Sequence, residues 1–142
     1  MVSETEIEVR YAETDQMGVV YHANYLIWFE IGRTKLVEDL GLRYVDMEDD
    51  GYFCPVLDVH AQYKRPLKYG ENALVKTRVI EYNGVKVVYG YEIVDEHGAL
   101  CVAGTSSHVV VSKETFQPVA MRKVLPNWHT AYERVVRSTM HE

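Results

Sequence analysis

The chain predicts an α+β fold in which an antiparallel sheet of about five strands wraps around one long hydrophobic helix. Three observations predict it. The segment Tyr25-Leu26-Ile27-Trp28-Phe29-Glu30-Ile31-Gly32 is apolar nearly all round, and a helix of that kind has to be enclosed. From residue 57 to residue 111 apolar and polar residues largely alternate, the period of half-buried strands. Asn83-Gly84 divides two of those runs with a strong two-residue hairpin signal.

The elements follow in order. Residues 6–11 place Ile7, Val9 and Tyr11 on one face and Glu6, Glu8 and Arg10 on the other, a strand with Tyr11 inward at its end. A turn over residues 14–18 leads into a helix over about 23–40, with Asn24 as N-cap and Gly41 just past the C-terminus. The second half of that helix keeps an inward stripe, Leu36, Val37 and Leu40, beside Arg33, Lys35, Glu38 and Asp39. Glu30 and Arg33, three apart, are placed to pair, and Glu30 beside Ile27 and Ile31 reads as a buried structural or interface residue. Strands over 57–63, 73–82, 85–94 and 99–111 read as a four-stranded antiparallel meander. Pro126 suits the first turn of a short closing helix through Trp128, Tyr132 and Val136. No repeat or linker divides the 142 residues, so 1–142 reads as a single domain.

Composition narrows the function. A net charge of −6 argues against broad binding to nucleic acid or an anionic membrane. No apolar run has transmembrane length, and Met1-Val2-Ser3-Glu4 is not the start of a signal peptide, so a cytoplasmic protein without membrane insertion is expected. Cys54 and Cys101 sit in apolar strand text and read as thiols in a reducing compartment. The histidines lack metal-ligand spacing, Gly104-Thr105-Ser106-Ser107-His108 is not a nucleophile elbow, and there is no phosphate loop; no metal is expected.

One stretch carries chemistry. Tyr11-Ala12-Glu13-Thr14-Asp15-Gln16-Met17-Gly18-Val19-Val20-Tyr21-His22-Ala23-Asn24-Tyr25 sets a carboxylate in a turn, then a glycine, then a histidine at the helix start. An acid facing a helix N-terminus can serve acyl transfer, because the free N–H groups there steady an oxyanion. An Asx-turn is the ordinary alternative for Asp15, and the residues alone leave both open.

Tyr11…Thr14-Asp15…Gly18-Val19-Val20-Tyr21-His22…Tyr25, followed by Phe29-Glu30…Arg33, resembles the hotdog-fold acyl-CoA thioesterases. The chain is most similar to the 4-hydroxybenzoyl-CoA thioesterase-like family, especially its Tol-Pal-associated short-chain branch. Arg65-Pro66-Leu67…Tyr69-Gly70 and Arg122…Leu125-Pro126 extend the likeness from residue 7 to about residue 126. The resemblance implies a hotdog fold and hydrolysis of an acyl-CoA to a carboxylic acid and CoA. It implies Asp15 as the catalytic carboxylate, nucleophile or general base. It implies the backbone N–H of His22, with Ala23 beside it, as oxyanion donors, and side chains of Tyr11 and His22 in the site. It further implies a homodimer or homotetramer and no cofactor, CoA being part of the substrate. Met17 departs from the branch and is placed to reshape the pocket mouth, while Gly18 supports the turn. Lys64, Arg65 and Lys68 form the local cation cluster expected near CoA phosphates, with Arg122-Lys123 a second group. A hotdog enoyl-CoA hydratase or dehydratase and a non-catalytic acyl-CoA-binding protein are the rival readings.

Overall fold

In the computed structural model, which describes residues 1–140, helix α1 (Ala23–Asp39) lies against one face of a five-stranded antiparallel sheet. The strands are β1 (Ser3–Glu8), β3 (Val56–Tyr63), β4 (Asn72–Tyr82), β5 (Lys86–Val94) and β6 (Leu100–Val109), in spatial order β1-β4-β5-β6-β3. A small second ladder joins β2 (Tyr52–Phe53) to β7 (Val111–Ser112). Short helices α2 (Tyr44–Asp49) and α3 (Met121–Val124) precede the amphipathic α4 (Pro126–Met140). This is the hotdog arrangement expected from the sequence. Among the described residues no helix is long and apolar enough to cross a membrane.

Alternation builds the inner face. Ala73, Val75, Thr77 and Val79 of β4 and Val87, Tyr89, Tyr91 and Ile93 of β5 are buried in one core with Tyr25, Trp28, Phe29, Leu36 and Val37 of α1, and Tyr89 also meets Tyr132 of α4. Phe29 stacks on Tyr91 with ring centres 4.2 Å apart. Two glycines permit the close approach. A Cβ at Gly104 would collide with the His60 carbonyl and stand 2.7 Å from the Phe29 ring, and one at Gly32 would meet Thr77 and Val75. Cys54 and Cys101 are both free thiols.

Several expectations are corrected. Only β4, β5 and β6 form a meander; β3 crosses to the far edge and pairs with β6. The first strand stops at Glu8, and Tyr11 opens a 3-10 turn (Tyr11–Glu13) with its side chain 77% exposed rather than inward. The cause is Glu13, whose carboxylate is drawn inward and turns the chain so that Tyr11 swings out. Asn24 is not the N-cap. His22 holds that position without a side-chain cap bond, and the Asn24 amide donates instead to the Glu13 carbonyl at 2.9 Å. Glu30 is exposed and forms no pair with Arg33, which turns inward to Tyr91. The closing helix is a long one, Pro126–Met140.

The sheet encloses only part of α1. Leu26, Ile27 and Ile31 remain exposed, as do Val56, Leu57, Val59 and Tyr63 of the edge strand β3. An unpaired edge beside an apolar helix face is a ready template for association.

Gly104→Ala is expected to destabilise the fold by about 1–3 kcal/mol through overpacking, measured as a lower denaturant midpoint. An unchanged midpoint would show that the α1–β6 contact is loose.

Candidate active site

The turn before α1 is held by a buried acid. Glu13 Oε1 accepts the Arg10 N–H at 2.9 Å, and Oε2 accepts the Trp28 indole N–H at 2.8 Å. Arg10 adds its guanidinium at 3.4 Å. Burial raises the Glu13 pKa, but these bonds outweigh it and hold the group below its ordinary value. The Glu13 carbonyl then accepts the Tyr21 N–H at 2.8 Å and the Asn24 amide, so one residue ties both ends of the turn to α1. Between them Thr14 pairs with Val20 and Val19 with Lys68. Gly18 closes the tip with φ +78°, a conformation a side chain would strain.

Asp15 is fixed within this loop. Its N–H donates to Val19 at 2.9 Å, its carbonyl accepts from Gly18 at 3.0 Å, and Oδ1 accepts the Met17 N–H at 2.8 Å. That is Asx-turn geometry, and it leaves Oδ2 without a protein partner among the described residues. The backbone N–H groups of His22 and Ala23 likewise meet no acceptor among the described residues, as the first turn of a helix dictates.

Asp15, Met17 and His22 line one cleft of about 490 Å³, together with Tyr25, Tyr63 and the stretch Lys64–Arg65–Pro66. The cleft therefore unites Asp15, His22, Met17, Lys64 and Arg65. It does not include Tyr11, which sits edge-on to Tyr69 at 5.8 Å, or Lys68, whose N–H donates to Glu71 at 2.9 Å. Gly18 and Ala23 act through the backbone beside it. Glu13 and Tyr63 were missed by the sequence reading. Tyr63 continues the Val59-Ala61 side of its strand, which was the available signal; for Glu13 the alternation breaks at Tyr11, which is exposed, and gave none. A larger groove of about 550 Å³ crosses the opposite face of the sheet, where Arg78 lies 3.8 Å from Glu92. It includes none of the turn residues.

The Ser and His of β6 do meet. Ser106 Oγ is 2.7 Å from His108 Nε2, and both residues are buried. Burial, aided by Arg33, pushes the His108 pKa down to about 4, so the ring is neutral near pH 7.

Residues 9–129 match the family described as the thioesterase-like superfamily. The chain belongs to that superfamily. It is 59% identical over 133 residues to Bacillus subtilis YneP, provisionally named an acyl-CoA thioesterase, covering 94% of this chain and 96% of YneP. The structure of a DHNA-CoA thioesterase from Staphylococcus aureus superposes with a TM-score of 0.95 at 42% identity, covering 99% of this chain and 94% of that one. Escherichia coli YbgC, an acyl-CoA thioester hydrolase, is 24% identical over 117 residues, 82% of this chain and 87% of YbgC. The chain is thus a thioesterase-superfamily enzyme with the hotdog fold.

Glu13 and His108 each carry a stability that can be measured. Glu13→Ala orphans the Trp28 indole and frees the turn, and is expected to cost about 2–4 kcal/mol in denaturant unfolding. A change below the error of the measurement would remove Glu13 as the anchor. His108 titrates lower folded than unfolded, so its contribution to stability is complete above its ordinary value of 6.5 and is lost as pH falls through about 4. The melting temperature of His108→Gln is expected to fall less between pH 6.5 and 4 than that of the unmodified chain; parallel curves would refute this.

Proposed function

We propose that the enzyme hydrolyses an acyl-CoA thioester to a free carboxylic acid and CoA. The observation that carries this reading is the shared cleft: Asp15, with one carboxylate oxygen unclaimed, and His22, with its backbone N–H unclaimed at the N-terminus of α1. In the nucleophilic route, Asp15 Oδ2 attacks the thioester carbon, the carbonyl oxygen gathers charge against the N–H groups of His22 and Ala23, and the C–S bond breaks. CoA departs as thiolate and takes a proton, and water then hydrolyses the mixed anhydride. In the general-base route, Asp15 takes a proton from water, which attacks the same carbon. Both routes place the developing oxyanion at the positive end of the helix dipole.

Lys64 and Arg65 line the cleft and supply cations for the phosphates of CoA in an otherwise acidic protein. Lys68 stands apart and has a lesser part. Met17, 80% exposed at the cleft, shapes its mouth. The imidazole of His22 leans toward Tyr63, with ring centres 6.0 Å apart, and is placed to touch the acyl or thiol portion. The open β3 edge and the exposed face of α1 support assembly as a homodimer or homotetramer, and the free thiols Cys54 and Cys101 suit a reducing cytoplasm. Because the Staphylococcus aureus relative is a DHNA-CoA thioesterase, the dihydroxynaphthoyl thioester is the first acyl group to test.

The test is free-thiol release from a panel of acyl-CoAs, with enoyl-CoA hydration measured in parallel. Asp15→Asn and Asp15→Ala are expected to lower kcat by about 10²–10⁴-fold with the fold retained by circular dichroism. Near-normal turnover in either would remove Asp15 from the chemistry, and binding without thiol release would mark a non-catalytic protein. Neutralising Lys64 and Arg65 is expected to raise KM more than it lowers kcat, and less so at high salt.

A further inference from the structure

Farther along α1 a second cavity opens in the seam between the helix and β3. It holds about 200 Å³ and is walled by Leu26, Ile27, Phe29, Val56 and Val59, with Ser106, Arg33 and, outside salt-bridge reach of that arginine, Glu30 as polar groups. An adjoining cavity of about 340 Å³ shares Glu30 and Arg33 and continues toward Tyr44 and Cys54. Arg33 therefore lines both. The second cavity shares no lining residue with the first cleft, but its walls neighbour it in sequence position: Phe29 lies one helical turn beyond Tyr25, and Val59 lies on the same side of β3 as Tyr63, and both tyrosines line the first cleft.

Arg33 is half-buried, and among the described residues it has no carboxylate in salt-bridge reach. Its side-chain hydrogen bond runs from Nη1 to the Tyr91 hydroxyl at 3.4 Å. A half-buried guanidinium without a counter-charge is unfavourable on its own. Beside it runs a buried row of polar groups: the Tyr91 hydroxyl accepts from Arg33 and lies 2.6 Å from Ser106 Oγ, which lies 2.7 Å from His108 Nε2. One guanidinium N–H is spent on this row, and the other four remain for whatever enters the cavities.

We propose that Arg33 binds an acceptor oxygen carried by the acyl group of the substrate, a carboxylate or a ring hydroxyl, within the apolar seam walled by Ile27, Phe29 and Val59. Tyr91, Ser106 and His108 are positioning residues that aim the guanidinium. This rests on the thioesterase reading and deepens it. The walls accept a hydrocarbon or aromatic body, and the single cation asks for one oxygen on that body. A plain alkyl chain would displace water from the half-buried guanidinium and offer it no acceptor in return.

The test compares paired thioesters that differ by that oxygen: benzoyl-CoA against 4-hydroxybenzoyl-CoA, and hexanoyl-CoA against adipoyl-CoA. Arg33→Met is expected to raise KM about tenfold or more for the oxygenated member of at least one pair, as loss of a charge-assisted hydrogen bond does, and to leave its plain partner within about twofold. The pair that responds identifies the oxygen as hydroxyl or carboxylate. Arg33→Lys should recover part of the loss, because one ammonium replaces a planar fork. Ser106→Ala should weaken the same members and no others. Equal losses on both members of each pair, or none, would overturn the proposal. So would a fall in affinity for CoA alone, which would assign Arg33 to the phosphates. Arg33→Gln serves if Arg33→Met does not fold. Calorimetric binding of the same thioesters to Asp15→Asn chains with and without Arg33→Met reads the preference even where no thiol is released, so failure of the hydrolytic reading and failure of this one remain distinct.

Discussion

The turn that carries Asp15 and the entry to α1 depend on one buried acid, Glu13. The Glu13 carboxylate, buried against the indole of Trp28 and the backbone of Arg10, fixes the distance between the end of β1 and the start of α1. Its own carbonyl then receives Tyr21 and Asn24, so the residues entering the helix are oriented by the group that anchors the turn. Burying a carboxylate costs several kcal/mol unless it is fully hydrogen-bonded. Here the backbone, indole and guanidinium donors offset that cost, and the reward is a short loop between Asp15 and His22 with little freedom. Pre-organisation of this kind is what the proposed acyl transfer asks of a carboxylate and a helix N-terminus.

The second constraint is that the helix is apolar beyond what one sheet can cover. β4 and β5 take the face containing Trp28, Phe29 and Val37, while Leu26, Ile27 and Ile31 stay open beside β3. β3 contributes an edge with exposed residues on both faces. The consequence is a seam instead of a sealed core, with the Asp15 cleft at one end and Arg33 farther along. A fully enclosed helix would be more stable and would have nowhere to put an acyl group.

Much of this was legible in the sequence, and the failures have physical causes. The long helix, the Asn83-Gly84 hairpin and strands β4, β5 and β6 were read well because periodicity and turn chemistry are local. The position of β3 was not, since its pairing with β6 is decided by packing across forty residues of sequence. Tyr11 was misplaced by extending an alternation past the last ladder partner, where Glu13 and Trp28 take over. The Asp15 turn and the helix start at His22 were legible as local turn chemistry, and the family resemblance ranked catalysis above an ordinary Asx-turn; the geometry shows that Asp15 forms the Asx-turn with Oδ1 and keeps Oδ2 apart. Glu30 and Arg33 were expected to pair because a three-residue spacing allows it. That rule considers the helix alone, and Tyr91 reaches Arg33 from the sheet.

Arg33 and Asp15 together show how the fold divides its polar groups. At the helix N-terminus the positive end of the dipole and two unclaimed N–H groups favour negative charge that appears during reaction. Along the seam a fixed cation favours negative charge already present on the substrate. The first kind of interaction strengthens in the transition state and therefore belongs at the carbonyl. The second binds ground and transition states alike, so it selects which acyl group arrives without accelerating the step. Setting the guanidinium roughly three helical turns along α1 from its N-terminus also keeps it from an ion pair with Asp15, which would consume the carboxylate oxygen that the proposed hydrolysis uses.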